Sequence, residues 1–206
     1  MTILLSGFAP FGGSHSNPSH LIAERLHGET VSGMKIVGLT LPVQMGQDAE
    51  MLLAAMAEHK PNLVLSLGLA AGTPCLDVER FAVNLRFTGE VNPDEPVPAD
   101  LPQSAVVDGG AGALLATIDP ERVARAIRDA GVPARAHGYA GAYACNHILY
   151  QVLHAAQTQS LAYEAGFIHL PLSSAQVIAE NKLHLASLPL DMMTAGVQAA
   201  IEEALK

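Results

Sequence analysis

The sequence predicts an α/β fold, a single-domain three-layer sandwich over residues 1–206 whose mostly parallel, twisted sheet carries helices on both faces. Two observations point there. Short aliphatic runs alternate with longer segments of helical periodicity, the pattern of strand and helix units that cross over to parallel neighbours. The runs are continuously apolar rather than alternating, as strands covered on both faces are. Composition agrees, since 50% of the 206 residues are hydrophobic, 15% are charged and only 4% are aromatic, so a sizeable core must be mainly aliphatic.

The elements follow in chain order. Ile3 to Ser6 is the first strand run, and Asn17-Pro18 caps a helix from Ser19 to Leu26 with proline at its first position. Lys35 to Leu41 is a second strand. Gln44 to His59 places Met45, Ala49, Leu52, Leu53 and Met56 on one helical face, and Pro61 stops it. Leu63 to Leu67 is a third strand, and Asp119-Pro120 opens a helix that ends at Gly131 with Val123 and Ile127 inward. A helix follows Cys145-Asn146-His147 through Tyr150 and Leu153. Gly166 to Leu170 is a fourth strand, halted by Pro171, and Leu190 to Leu205 closes the chain with Val197, Ala200, Ile201 and Leu205 at helical spacing. Arg86 to Gly112 fits neither pattern. It holds Pro93, Pro96, Pro98 and Pro102 with five acidic residues, and is expected to be a functional loop or an excursion with a hairpin around Ala105 to Val107.

Charge and cysteine usage narrow the partners. Eleven Lys+Arg against 20 Asp+Glu give a net charge of −9 with no basic run, which argues against nucleic acid or an anionic membrane. No apolar run reaches the roughly 18 to 20 residues of a membrane helix. The apolar start lacks a basic lead and is broken by Gly7, Pro10, Gly12 and Gly13, so no signal peptide is expected. Two cysteines, Cys75 and Cys145, are too few for a disulfide framework and fit a reducing compartment, and the expectation is a soluble cytoplasmic protein.

Sites in open parallel sheets lie beyond the carboxyl ends of the strands, and four segments occupy such places. Ser6 to Gly13 lacks the glycine spacing of a dinucleotide or phosphate loop, and its Phe8 and Phe11 either wall a flat ligand or plug the edge of the core. Gly68 to Gly72 has the spacing of a nucleophile elbow with Ala70 where serine would stand, so only its backbone could serve a ligand. Just beyond, Glu79 and Arg80 are adjacent charges that read either as a mutual surface ion pair or, in Glu79, as a carboxylate that orients a catalytic base. Cys145 opens a helix after a glycine-rich loop, where the helix dipole and unpaired N–H groups favour thiolate and can hold an oxyanion; the plainer alternative is a small buried hydrophobe. Cys75 has no such setting. His169, at the end of an aliphatic strand, is either a general base or a satisfied core histidine. His147 and His154 share a helix face but lack further ligands at metal spacing, and no metal site is expected.

Taken together these segments resemble one family. Gly7-Phe8-Ala9-Pro10-Phe11-Gly12-Gly13 with Asn17-Pro18-Ser19, Gly68-Leu69-Ala70 with Val78-Glu79-Arg80-Phe81-Ala82-Val83-Asn84, Ala140-Gly141 with Cys145-Asn146-His147, and Gly166-Phe167-Ile168-His169-Leu170-Pro171 are similar, in order and spacing, to pyroglutamyl peptidase I, the pyrrolidone-carboxylate peptidase family of cysteine peptidases. The resemblance implies that Cys145 is the nucleophile, His169 the base and then the acid, and Glu79 the group that orients the imidazole. It implies removal of pyroglutamate from N-terminally pyroglutamylated peptides without metal or cofactor. Phe8 and Phe11 would be aromatic walls of the substrate pocket, Tyr143 and Ala144 its lining beside the nucleophile, and the backbone around Leu69 with Asn17 its polar partners. A homo-oligomer, often a tetramer in the family, is implied as well. The chain departs from the family pattern at Ala9, at Thr73-Pro74, at Tyr139 and Ala142, and through Arg86 to Pro102, which does not align cleanly with the family segment that carries an arginine near the oxyanion; Arg86 is a candidate for that place and is assigned no role. Two other functions fit the same residues: a non-catalytic binder of a small lactam, and another Cys-His amidase acting on a different small amide.

Overall fold

A computed structural model describes residues 1–87, 102–159 and 161–206. The chain runs through β1 (Thr2–Phe8), α1 (Pro18–Leu26), β2 (Thr30–Val31), β3 (Met34–Leu41), α2 (Gln47–His59), β4 (Leu63–Leu69), β5 (Leu76–Val83), β6 (Arg86–Phe87), β7 (Gln103–Ser104) and β8 (Ala113–Leu115). It continues through α3 (Pro120–Asp129), β9 (Ala134–Tyr139), α4 (Ala144–Gln159), β10 (Glu164–Leu170), β11 (Leu172–Ser173), α5 (Ser174–Ala179), β12 (Ser187–Leu188) and α6 (Leu190–Ala204). The main sheet has the order β2-β3-β1-β4-β10-β5-β8, and β9 pairs with the free side of β5.

Strands β3, β1, β4 and β10 are mutually parallel, while β5 runs antiparallel to β10 and carries β9 in its own direction. Burial on both faces explains the continuous apolar runs: in β1 every residue from Ile3 to Phe8 is buried. Ile3, Leu5, Leu65 and Ile168 lie on the face that meets α1, α3 and α6, and Leu4, Val64 and Phe167 on the face that meets α2 and α4. The pleat therefore sorts one aliphatic strand set into two cores. Asn17 caps α1 as its type suggests, its side-chain oxygen accepting from the Ser19 N–H, and Asp119 does the same for α3 through Glu121 and Arg122.

Among the elements that differ from the sequence expectation, three do so for a plain physical reason. Helix α2 starts at Gln47 rather than Gln44, because Gly46 takes φ 98 and Asp48 turns its carboxylate onto the Gly46 and Ala49 N–H groups. Strand β5 went unread because Asp77, Glu79 and Arg80 interrupt its apolar pattern, and β9 because an edge strand keeps polar residues on its open side. Residues 88–101, the greater part of the proline-rich stretch, lie outside the described residues. On its flanks β6 pairs antiparallel with β7, and the Asn84 side-chain oxygen accepts from the Val106 and Val107 N–H groups while its amide donates to the Val107 and Gly110 carbonyls.

Helix α1 lies against the sheet through two glycines. A Cβ on Gly7 would overlap the Ser19 carbonyl, and one on Gly38 would overlap the Ala23 carbonyl. Neither backbone can move without lifting the helix off β1 and β3. Gly7→Ala is therefore expected to cost at least about 2 kcal/mol, read as a lower urea midpoint; an unchanged midpoint would show that α1 can shift freely.

Candidate active site

Four elements bring the chemistry together at one end of the sheet. Glu79 projects from β5 with 1% of its surface exposed. Burying a carboxylate is costly unless it is paired, and this one is paired on both oxygens: Oε1 lies 2.7 Å from His169 Nδ1 and Oε2 lies 2.9 Å from His137 Nδ1. A carboxylate can only accept, so both imidazoles donate from Nδ1, leaving Nε2 of His169 for a second partner. That partner is Cys145, the second residue of α4, whose sulfur interacts with the imidazole by charge and hydrogen bond.

Electrostatics follow from this chain of contacts. Burial alone would lower the pKa of His169, but the Cys145 sulfur and the Glu79 carboxylate outweigh it and raise the imidazole to about 10. The ring is held further by Phe167, with centroids 4.8 Å apart. On the Cys145 side, the first helical hydrogen bond of α4 runs from the His147 N–H to the Tyr143 carbonyl at 2.8 Å. N–H groups ahead of it, that of Cys145 included, have no partner within the helix and mark its positive end. Gly141, with φ 78, makes the turn that delivers the chain into α4.

Space for the sulfur comes from Gly68 in β4, which is in register with His169. A Cβ there would lie 2.8 Å from Cys145 Sγ and 2.7 Å from Phe167 Cζ. The glycine thus acts through what it lacks, as a place where a reactive group approaches the backbone. Its spacing with Gly72 is no elbow, because Gly68 lies inside the strand.

The remaining sequence candidates take distinct places. Arg80 points away from Glu79 and pairs with Glu121 of α3, so adjacency in sequence made no ion pair between the two. Phe8, 3% exposed, and Ala144 pack into the core beneath α4, while Phe11 is half-buried on its loop. Asn17 is fully buried and binds the Ser19 N–H, the Ser19 hydroxyl and the Ala9 carbonyl, which holds the loop that carries Phe11. Leu69 ends β4 in register with Leu170. Tyr143 packs on Phe87 with centroids 5.2 Å apart, and its hydroxyl is buried without a hydrogen-bond partner among the described residues. Burial raises its phenol pKa. Cys75 is free, and burial together with the neighbouring Asp77 carboxylate raises its thiol pKa. His147, paired with Asp48 at 3.1 Å, is a buried structural histidine. Among the described residues no group of three or more His, Cys, Asp or Glu side chains is placed to hold a metal, and no helix is long and apolar enough to cross a membrane.

Sequence reasoning missed His137 and the role of Gly68. A glycine inside an apolar strand pattern was the available signal for Gly68; His137 had none, because nothing local ties residue 137 to residue 79.

Comparison with known proteins agrees with the geometry. The family model described as pyroglutamyl peptidase matches residues 1–206. A pyrrolidone-carboxylate peptidase of Klebsiella pneumoniae is 35% identical over 203 residues, covering 98% of this chain and 90% of its own length. One from Levilactobacillus brevis is 36% identical over 205 residues, covering 98% of each. The pyrrolidone carboxyl peptidase of the hyperthermophile Pyrococcus furiosus superposes with a TM-score of 0.90 at 31% identity, over 100% of this chain and 98% of that one.

The two thiols should differ sharply in reactivity. At pH 7, iodoacetamide is expected to label Cys145 at least about tenfold faster than Cys75, because only Cys145 sits beside an imidazolium and a helix N-terminus. Peptide mapping of partially labelled protein checks this, and faster labelling of Cys75 would reverse the assignment.

Proposed function

The chain belongs to the pyroglutamyl peptidase family, and from that premise we propose how its residues carry out the reaction. As a cysteine exopeptidase it removes N-terminal pyroglutamate from peptides. The observation that carries the mechanism is the continuous contact from Glu79 through His169 to Cys145.

Cys145 attacks as the thiolate on the carbonyl carbon of the pyroglutamyl residue. The electron pair moves to the carbonyl oxygen, and the oxyanion accepts from the unpaired N–H groups at the start of α4. As the C–N bond breaks, His169 Nε2 gives its proton to the departing amine, which leaves a thioester on Cys145 and a neutral imidazole. Water then attacks the thioester and His169 takes its proton. Collapse releases pyroglutamate and restores the thiolate beside the imidazolium. Glu79 holds the ring so that Nε2 faces both sulfur and leaving group.

Substrate recognition suits a small neutral lactam. We assign the pocket walls to Phe8, Phe11, Tyr143 and Ala144, and its polar partners to the backbone at Leu69 and to Asn17. The buried, unpartnered Tyr143 hydroxyl supports this assignment, since a substrate oxygen would complete its bonding. Such a site rejects analogues that leave its polar groups unmatched. With the family established and the Cys-His-Glu set complete, the non-catalytic binder and the alternative amidase have no support.

The working form we propose is one domain over residues 1–206, in the cytoplasm, as a homo-oligomer with the tetramer of the family resemblance, and with no nucleic-acid or membrane partner. Net charge −9 and two free cysteines favour that setting. Ile178 and Leu183, 72% and 70% exposed, are apolar surface that subunit contact would cover.

Purified, reduced protein is expected to release chromophore from a pyroglutamyl arylamide, with Cys145→Ala inactive and Glu79→Gln slowed at least about tenfold but not abolished. Absence of release by the native protein would overturn the mechanism. The pH profile adds a second expectation. His169 stays protonated below about 10 and loses its proton as pH rises through that value, so the alkaline limb of kcat/KM should fall near pH 10. A limb near pH 8 would mean that His169 is not held by Cys145 and Glu79.

A further inference from the structure

Glu79 serves two imidazoles, and the mechanism uses only one. His137 lies on the edge strand β9, directly opposite Glu79 in the β5 ladder, and donates from Nδ1 to the oxygen that His169 leaves free. Glu79 itself is 1% exposed, whereas the His137 side chain is 42% exposed. One face of this imidazole therefore belongs to a buried catalytic relay and the other to solvent.

We propose that His137 is a positioning residue of this site: its Nδ1–H fixes the outer oxygen of Glu79 so that the carboxylate keeps its aim on His169. The inference rests on the role given to Glu79 above.

Geometry supplies the coupling. A carboxylate bonded through one oxygen can rotate about its last torsion, and a second donor on the other oxygen removes that freedom. The charged groups facing His137 are few. On β5 they are Glu79 and Asp77, and on β9 Arg135, whose Nε lies 2.6 Å from Asp77 Oδ1. His169 on β10 and Cys145 on α4 face it across Glu79. Helix α3 covers the opposite side of β9, where Arg128 donates to the Ala134 carbonyl. Asp77 and Arg135 largely neutralise each other, so Glu79 is the charge that His137 meets.

Two substitutions separate the hydrogen bond from the ring. Asn carries its Nδ2 donor where His carries Nδ1, so His137→Asn keeps the bond to Glu79 and loses the ring; His137→Phe keeps the ring and loses the bond. With a pyroglutamyl arylamide, His137→Phe should lower kcat about tenfold with KM within about twofold. His137→Asn should keep kcat within about threefold of native. The proposal is overturned if both variants lose kcat equally, or if His137→Phe keeps the native kcat. Should His137→Phe fail to fold, as seen by circular dichroism, the Asn variant decides alone: a kcat lowered about tenfold with its donor in place would overturn the proposal. Glu79→Gln in the same assay keeps the two readings apart. Native rates in that variant would remove Glu79 from the mechanism, whereas a slow Glu79→Gln beside unaltered His137 variants would remove only His137.

Discussion

A buried carboxylate between two imidazoles governs the arrangement of this molecule's working end. Glu79 is nearly inaccessible, and an isolated charge in that position would destabilise the fold by several kcal/mol. Its two oxygens instead meet His169 and His137, which come from strands on opposite sides of β5. The strand order β10-β5-β9 thus has a chemical reason as well as a packing one. Only with β5 seated between those two strands can one carboxylate reach both rings, and its reversed direction relative to β10 sets Ile168 and His169 against Val78 and Asp77 so that the ring of His169 turns toward Glu79.

Around that charge the sheet works by sorting. Aliphatic side chains on one face of the pleat meet α1, α3 and α6, and those on the other meet α2 and α4. The reactive residues occupy the second face at the strand ends, where α4 begins. Close approach requires missing side chains at a few points. Gly7 and Gly38 let α1 settle on the strands, and Gly68 leaves room for Cys145 Sγ beside Phe167. A helix N-terminus, a thiol and an imidazole can then share one small volume without an intervening methyl group.

Legibility in the sequence follows from how local each cause is. Strands β1, β3, β4 and β10 were readable because burial on both faces leaves an uninterrupted aliphatic run. Helices α1 and α3 were readable because Asn17-Pro18 and Asp119-Pro120 are local caps. Cys145 and His169 stood out for the same reason, each placed by its neighbours at the end of an apolar element. Strand β5 was hidden because its functional charges break the very pattern that would announce it. The bond between Glu79 and His137 spans 58 positions and leaves no trace in either neighbourhood.

By itself, the sequence determined the α/β class, the aliphatic core and the order of the motifs. Those features depend on contacts within a few residues, or on the periodicity with which one face of an element must be apolar. Only the tertiary structure decided that Arg80 belongs to Glu121 and not to Glu79, that Gly68 is an opening for the sulfur and not a turn, and that Glu79 has a second imidazole. Each of these depends on strand register across the sheet, where one residue of slip turns a side chain to the opposite face, and register is set by the packing of the whole sheet.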